Sequence, residues 1–180
     1  MNMKRILMIF SFISVSLFSF CQSIEPEFTY ECGILNNDNT LTICEKCNAK
    51  ITSKASASMY LTGIGKIKTR YQVSNANSNV IINKSDTITI ICKSMSNIMD
   101  PHQVIKVYAL ESKKKYRQVQ IGEVGTFTGS EVMGDNLPFN ATKYGNTNTC
   151  YKITLINYPE GEYAISVLNP MVFNCFSIKN

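Results

Sequence analysis

The C-terminal stretch 150–180 constrains the fold of this chain more than any other part of the sequence. Apolar and polar residues alternate through Tyr151–Leu155 and Tyr163–Val167 and again in Phe173–Ile178, and a turn at Pro159–Gly161 separates the first two runs. This period of two predicts β-strands, and the short breaks predict an antiparallel meander. A meander cannot cover its own apolar faces, so we expect the upstream chain to supply an opposing sheet.

The upstream chain shows the same strand-type pattern and no helical one. In 66–73, basic and polar residues alternate with apolar or β-branched ones, which is typical of a half-buried strand. Further runs at 80–82 and 87–92 predict two strands, and 104–110 with 116–121 predicts a hairpin. No apolar residues recur at helical spacing for three turns. We therefore predict an all-β fold, an antiparallel β-sandwich of seven to nine strands with Ig-like or Greek-key topology.

Two segments are predicted to contain little regular structure. The first, 22–58, is a turn-rich, Cys-containing N-terminal segment in which Asn36–Asn39 is the loop of a short hairpin, and 59–180 is the β-sandwich domain. The second, 123–148, is punctuated by glycines, so we expect it to be mostly loop with one short strand near Gly125–Gly129.

Tyr163 follows the turn at Pro159–Gly161 by two residues. In Ig-like sandwiches, a tyrosine so placed folds its hydroxyl back onto the backbone of the preceding turn, an arrangement called a tyrosine corner. An ordinary core-facing tyrosine on a strand is the alternative interpretation, and the sequence leaves both open.

Residues 1–21 have the pattern of a cleaved signal peptide. Lys4 and Arg5 precede the apolar run Ile6–Phe20, which is shorter than a membrane span, and cleavage after Cys21 leaves Gln22 first. We therefore expect a secreted, periplasmic or cell-surface protein. The alternative is a lipid on Cys21, which the bulky Phe20 disfavours, and we expect a membrane association only in that case.

The charge of the exported chain is too small and too evenly spread for a nucleic-acid partner. Without Lys4 and Arg5, 16 basic residues remain against 13 acidic ones, a net charge of +3. Six cysteines also remain, an even number in a chain predicted to enter an oxidising compartment, and we predict that they form disulfides of open pairing. They are Cys32, Cys44, Cys47, Cys92, Cys150 and Cys175.

The segment GEYAI at Gly161–Ile165 resembles a turn found in uncharacterised exported bacterial β-sandwich proteins. In that group, a GEYA turn leads to a terminal FG[IV]D-like strand, and CFSIK at Cys175–Lys179 stands in its place, with Ser177 and Lys179 where glycine and aspartate are usual. The hairpin at Val104–Gly122 is also similar to one in the group. The resemblance implies a β-sandwich and an export route, with no agreed activity or catalytic residues.

Cys44 and Cys47 form a CxxC motif whose usual chemistries lack support in this sequence. A redox pair needs a helix after the first thiol, and none is predicted, so a structural disulfide is the favoured interpretation. Zinc would need further ligands, yet His102 is the only histidine and no second CxxC exists. No G-x-S-x-G motif supplies a nucleophile for a triad built on His102. We predict no metal and no cofactor.

Paired carboxylates are the remaining route to catalysis. Glu123, Glu131 and Asp135 lie in the glycine-rich segment and could meet across a cleft, as a glycoside hydrolase requires. The chain carries 13 acidic residues, so such a meeting is unremarkable. A hydrolase is therefore the alternative, and we predict that the protein is not an enzyme.

A basic turn is the candidate binding site. Lys113, Lys114 and Lys115, followed by Arg117, could grip an anionic glycan or a lipid head group. A solvated cluster at a hairpin tip, which discourages strand-to-strand aggregation, is the plainer interpretation. We predict a non-catalytic binding or surface-accessory module whose partner is a protein or a glycan, and a structural subunit of a surface assembly is a further alternative.

Overall fold

The computed structural model describes residues 24–131 and 136–180. Within these ranges the chain forms fourteen strands and two short helices. In chain order the elements are β1 (Cys32–Leu35), β2 (Leu41–Ile43), β3 (Glu45–Asn48), β4 (Lys50–Ala55), α1 (Ala57–Thr62), β5 (Lys66–Ser74), β6 (Ile81–Asn83), β7 (Thr87–Lys93), α2 (Pro101–Val104), β8 (Ile105–Ser112), β9 (Tyr116–Gly125), β10 (Gly129–Glu131), β11 (Asn140–Tyr144), β12 (Cys150–Ile156), β13 (Gly161–Val167) and β14 (Val172–Lys179).

The strands form two sheets. One has five strands in the order β11-β12-β7-β1-β2. The other has nine, with β3-β14-β13-β8-β9-β5-β4 as its path, β10 beside β9 and β6 beside β14. Every pairing is antiparallel except that between β14 and β6. The all-β prediction is confirmed.

The two sheets share one large hydrophobic core cluster. Its members include Ile90 on β7 and Ile153 on β12, from the five-stranded sheet, and Ile165 on β13 and Phe176 on β14, from the nine-stranded one. These four side chains are fully buried. The predicted opposing sheet is therefore present, because apolar residues of both sheets are removed from water together.

The nine-stranded sheet is curled, so that its distant strands β5 and β14 pack against each other in a second hydrophobic cluster. Tyr71 and Val73 of β5 pack with Phe173 and Cys175 of β14 in a second cluster, although three strands separate β5 from β14 in the sheet. The rings of Tyr71 and Phe173 meet edge-on with centroids 5.5 Å apart. Strands β13 and β14 are consequently buried on both faces, whereas the meander pattern predicts one covered face.

Strand β14 holds this architecture together through three partners. It pairs with β13 on one edge and with β3 and β6 on the other. Asn174, which is fully buried, extends the link to the other sheet, since its Oδ1 accepts from Cys32 N at 3.2 Å and its Nδ2 donates to Tyr30 O at 3.0 Å. The packing supports the prediction that the C-terminal strands organise the chain, but the predicted three-stranded meander is wrong, because β12 pairs with β7 and β11 in the five-stranded sheet and only β13 and β14 are neighbours.

The hydroxyl contact predicted for a tyrosine corner is present. Tyr163 Oη donates to Pro159 O at 2.8 Å, and its ring stacks on Phe176 with centroids 5.6 Å apart. The contact fixes the entry into β13, because it spans four residues across the turn.

The predictions of seven to nine strands and of a mostly irregular 123–148 need correction. Fourteen strands are present in the described residues, and 123–148 contains the end of β9, all of β10 and all of β11. The residues 22–58 supply β1 to β4, of which β1, β3 and β4 pair with strands of 59–180. Several of these strands are short or mostly polar, so no alternation marks them in the sequence.

The predicted leader, with Cys21 and Gln22, lies outside the described residues, as does Asp135. Among the residues described, no helix has the length and apolarity needed to cross a bilayer.

Candidate functional site

The predicted anion-binding turn separates into an exposed part and a buried part. Lys113, Lys114 and Lys115 are exposed between β8 and β9, and Lys113 pairs with Glu111. Arg117, in contrast, is 0 % exposed. The three lysines are thus the only members of the predicted set that a ligand could reach.

Arg117 is buried because it points into the interior of the curled sheet. It shares a face of β9 with Val119, two residues on, which packs against the second core cluster. Its guanidinium donates to Glu45 Oε2 at 3.2 Å, to Glu162 Oε2 at 3.3 Å and to Ser74 O at 3.3 Å. The alternation along 117–121 could have revealed this, because Arg117 stands in the apolar register.

The carboxylates around Arg117 are also held by other groups. Glu162 accepts from Ser78 N at 2.8 Å and from Ser177 Oγ at 2.5 Å. Burial opposes ionisation of Glu45, but hydrogen bonds from Ser78 and Arg117 and the charge of Arg117 outweigh it and lower its pKa. This network ties β3, β9 and β13 together and leaves no open face for a ligand.

The cysteines fall into two groups and one separate residue. Cys32, Cys44 and Cys92 lie together in the large core cluster, with Cys32 Sγ and Cys92 Sγ 3.2 Å apart. Cys47 and Cys175 lie in the second cluster, and Cys150 lies apart. No two sulfurs among the described residues are at bonding distance, and all six are thiols.

The CxxC motif is therefore not one chemical unit. Cys44 and Cys47 pack in different clusters, because the chain passes from the five-stranded sheet to the nine-stranded sheet between β2 and β3. Burial raises the pKa of Cys44 well above its usual value. These surroundings do not match the neighbouring, exposed thiols of a CxxC redox motif.

The candidate carboxylates Glu123 and Glu131 do meet, as direct cross-strand partners on β9 and β10. Glu123 is only 8 % exposed and pairs with Lys66 and, at 3.5 Å, with Lys68. A hydrogen bond from Lys66 lowers the pKa of Glu123. A carboxylate held ionised in this way lacks the raised pKa that a general acid needs.

His102 lies in α2 and has an ordinary structural environment. Its backbone N donates to Asp100 Oδ1 at 2.9 Å, which caps the helix, and its ring packs on Phe139 with centroids 4.5 Å apart. Within the described ranges, no group of three or more His, Cys, Asp and Glu residues is arranged to hold a metal ion.

Beside β4, α1 and β5, the curled sheet forms an open groove that the sequence does not predict. Its volume is about 810 Å³. Four of its lining residues are basic and none is acidic; the basic ones are Lys54, Lys66, Lys68 and Arg70. We call this site the basic groove.

Strand pairing concentrates the charge of the basic groove. Lys66, Lys68 and Arg70 share one face of β5, opposite to the face of Tyr71, and Lys54 is the cross-strand partner of Lys68. Glu123 neutralises part of this charge through Lys66 and Lys68. Lys54 and Arg70 have no ion pair among those found in the described residues.

Large apolar side chains stand beside the basic groove. Tyr60 and Leu61 of α1 are 79 % and 84 % exposed, Ile64 is 49 % exposed, and Phe127 in the β9–β10 turn is 80 % exposed. Helix α1 buries no residue at all. We call these four side chains the apolar rim.

Gly65 connects the loop that carries Ile64 to the turn that carries Phe127. Its N donates to Thr126 Oγ1 at 3.0 Å, and its O accepts from Thr126 N at 3.0 Å, so the turn carrying Phe127 is attached to the loop carrying Ile64. A Cβ at Gly65 would lie 2.3 Å from Ser56 Oγ and 2.9 Å from Met59 N, which only glycine avoids. The rim is therefore built by specific contacts.

Of this site, the sequence predicted only the solvated face of β5. The alternation in 66–73 predicts the wet, basic face of β5, but it does not show that β4 and α1 enclose that face. Helix α1 has six residues and no buried side, so it has no apolar periodicity to detect.

Comparisons of the chain with protein-family models, with curated proteins and with solved structures find no match. The function must therefore be argued from the site alone.

Proposed function

We propose that the protein is an exported, non-catalytic binding module with an Ig-like or Greek-key β-sandwich fold, and that its basic groove binds an acidic glycan. The shared core of the two sheets and the hydroxyl contact of Tyr163 support the fold, and the resemblance of the GEYA segment supports the export route. The observation that carries the function is a concave surface with four cations and no acid among its lining residues.

The two kinds of side chain at the groove suit two parts of a glycan. Ammonium and guanidinium groups attract carboxylate or sulfate substituents, and Arg70 adds the ability to bind them with two parallel hydrogen bonds. Tyr60 and Phe127 lie outside the lining of the groove, on the helix and the turn next to it, where a glycan longer than the groove would reach their exposed rings. The cations of the groove select an acidic sugar over a neutral one.

The lowered pKa of Glu123 argues against Glu123 as the general acid of a glycoside hydrolase. A glycoside hydrolase needs one carboxyl group that is protonated near neutral pH. Glu123 is paired with two lysines, and its neighbour Glu131 is exposed.

The test is binding of two acidic probes, oligogalacturonate and chondroitin sulfate oligosaccharides, with neutral dextran as a control, by calorimetry at two salt concentrations. We expect an acidic probe to bind, more weakly at high salt because the contacts are exposed, and dextran not to bind. The groove variant Lys54→Gln/Lys68→Gln/Arg70→Gln should lose most of the affinity.

The matched control is Lys113→Gln/Lys114→Gln/Lys115→Gln, which removes the same charge from the exposed turn. It should bind the acidic probe nearly as well as the parent protein. Equal losses in both variants would indicate general charge attraction, and loss in the control alone would assign binding to the lysine turn. No binding of either acidic probe would contradict the proposed ligand class.

A further inference from the structure

The register of the strands determines which of the six cysteines lie close enough to form a disulfide with one another. Cys32 and Cys92 are Cα partners on β1 and β7. Lys93 N donates to Glu31 O at 2.9 Å, which makes Cys32 and Cys92 a non-hydrogen-bonded pair. Such a pair brings the Cα atoms to about 4.5 Å and the side chains closest together. That separation is within the range in which a disulfide forms.

Cys44 is also near Cys32, but in a less favourable position. Its N donates to Cys32 O at 2.9 Å, so these two residues form a hydrogen-bonded pair across β1 and the end of β2. In such a pair the side chains are further apart than in a non-hydrogen-bonded pair. Cys32 therefore pairs with Cys92, whose sulfur is already 3.2 Å away.

Cys47 and Cys175 form the second candidate pair. Cys47 lies opposite Phe173, so it shares a sheet face with Cys175, two residues further along β14. The two residues are thus diagonal neighbours, further apart along the sheet than a directly opposed pair, and the interaction between the two thiols lowers the pKa of Cys47 and raises that of Cys175.

Cys150 has no partner among the other five cysteines that the structure describes. It is the Cα partner of Lys93, while its neighbour Tyr151 is the partner of Cys92. Adjacent residues of a strand point to opposite faces, so the thiol of Cys150 is on the other side of the sheet from Cys92. Burial raises its pKa to about 11, which keeps it a thiol.

We propose that oxidation links Cys32 to Cys92 and Cys47 to Cys175, and leaves Cys44 and Cys150 as thiols. Each link joins a cysteine before residue 50 to one after residue 90, so β1 and β3 are attached covalently to later strands. In each reaction a disulfide such as oxidised glutathione takes two electrons from the thiol pair. One S–S bond forms in the protein, the S–S bond of the oxidant breaks, and its two sulfurs receive the two protons.

The two proposed disulfides differ in how accessible their sulfurs are to a reductant in solution. Cys32 and Cys92 are 0 % exposed, whereas Cys47 is half-buried. A reductant must approach one sulfur of a disulfide in line, so it reaches Cys47 long before it reaches the core pair. Dithiothreitol attacks Cys47 and is oxidised to its cyclic disulfide, and its protons pass to Cys47 and Cys175. The link between β3 and β14 is therefore the reducible one.

The first experiment incubates the full chain in oxidised glutathione, alkylates it in denaturant and maps its peptides without reduction. We expect alkylated Cys44 and Cys150 and two linked peptide pairs, Cys32 with Cys92 and Cys47 with Cys175. A link between Cys44 and Cys47, a link that includes Cys150, or alkylation of all six residues would overturn the proposal.

Variants and timed reduction supply the control. Cys44→Ala and Cys150→Ala should retain both links, and Cys47→Ser, at the half-buried position, should lose only its own link. In native buffer with dithiothreitol, Cys47 and Cys175 should become alkylatable first, at least about tenfold faster than Cys32 and Cys92. Simultaneous opening, or earlier opening of the core link, would contradict the assigned accessibility.

Discussion

The C-terminal strands and the basic groove are the two most different regions of this molecule. Strands β13 and β14 are buried on both faces, and besides their apolar side chains they carry four buried polar residues, Glu162, Ser166, Asn174 and Ser177. Helix α1 buries no residue, and β4 contains no buried position. Both regions belong to the same nine-stranded sheet, so its curl brings β5 over β14 at one end and leaves the outer face of β4 and β5 to solvent.

The difference indicates a division between residues that stabilise the fold and residues that are available to bind a ligand. Residues that hold the fold lie where water is excluded, and removing them costs stability. Residues of the groove are solvated, so changing them should alter binding while the fold persists. The predictions below test this division, beginning with the largest effect.

Deletion of Val172–Asn180 should abolish cooperative folding. The deletion removes β14, and with it the backbone partners of β13, β3 and β6 and the side chains of Phe173 and Phe176. Truncating each phenylalanine alone costs about 3 to 5 kcal/mol, and a small domain has roughly 5 to 15 kcal/mol in total. A melting curve checks this; a cooperative transition near the parent temperature would show that β14 lies outside the core.

Arg117→Ala should lower the free energy of unfolding by about 3 to 5 kcal/mol, because Glu162 would remain buried without its cation. Adding Glu162→Gln to that variant should recover part of the loss, since the uncompensated charge is then removed. The matched control is Arg70→Ala, which should cost less than about 0.5 kcal/mol because Arg70 lines the solvated groove. Urea unfolding measures all three, and similar losses for both arginines would contradict the division.

Glu45→Gln should flatten the acid side of the pH–stability curve. The pKa of Glu45 is lower in the folded protein than its usual value of 4.5. Its ionisation therefore stabilises the fold above that value, and this contribution is lost as pH falls through the lowered pKa. The comparison uses urea unfolding from pH 7 to pH 2, with Glu160→Gln as the exposed control. An unchanged acid slope in Glu45→Gln would refute the assigned contact with Arg117.

The groove variant Lys54→Gln/Lys68→Gln/Arg70→Gln should have the smallest effect on stability, below about 0.5 kcal/mol per site. Lys66 is kept in this variant because it makes the closer of the two ion pairs of Glu123. The turn variant at Lys113, Lys114 and Lys115 should be equally mild. Thermal melting checks both, and a large loss confined to the groove variant would show that these cations support the fold.

Much of the strand structure could be predicted from alternation alone. Strand β5 begins at Lys66 as predicted, β7 covers the predicted run 87–92, and the loop Asn36–Asn39 joins β1 to β2. The short strand β3 was missed, because its four residues have no apolar alternation and therefore no local signal, whereas β10 begins at Gly129, at the end of the range predicted to contain a short strand. The existence of β3 depends on a partner far away in the chain, β14.

The candidate sites were harder to predict than the strands. Lys113 to Lys115 and Arg117 are neighbours in the sequence, yet the turn ends between them and Arg117 enters the interior. Likewise, Cys44 and Cys47 are three residues apart and belong to different clusters. Closeness in sequence therefore does not establish a shared site where a turn ends or the chain passes to another sheet between the residues.

The sequence by itself determined that this chain is all-β and that its C-terminal strands lie in the core, and it offered the turn contact of Tyr163 as one of two interpretations. These features depend on the local period of the side chains and on turn chemistry, which the sequence displays directly. Only the tertiary structure decided which cysteines meet, that Arg117 is buried between two carboxylates, and that β4 and α1 enclose a basic groove. These features depend on the register and curl of strands distant in the chain, and long-range pairing leaves no local pattern to detect.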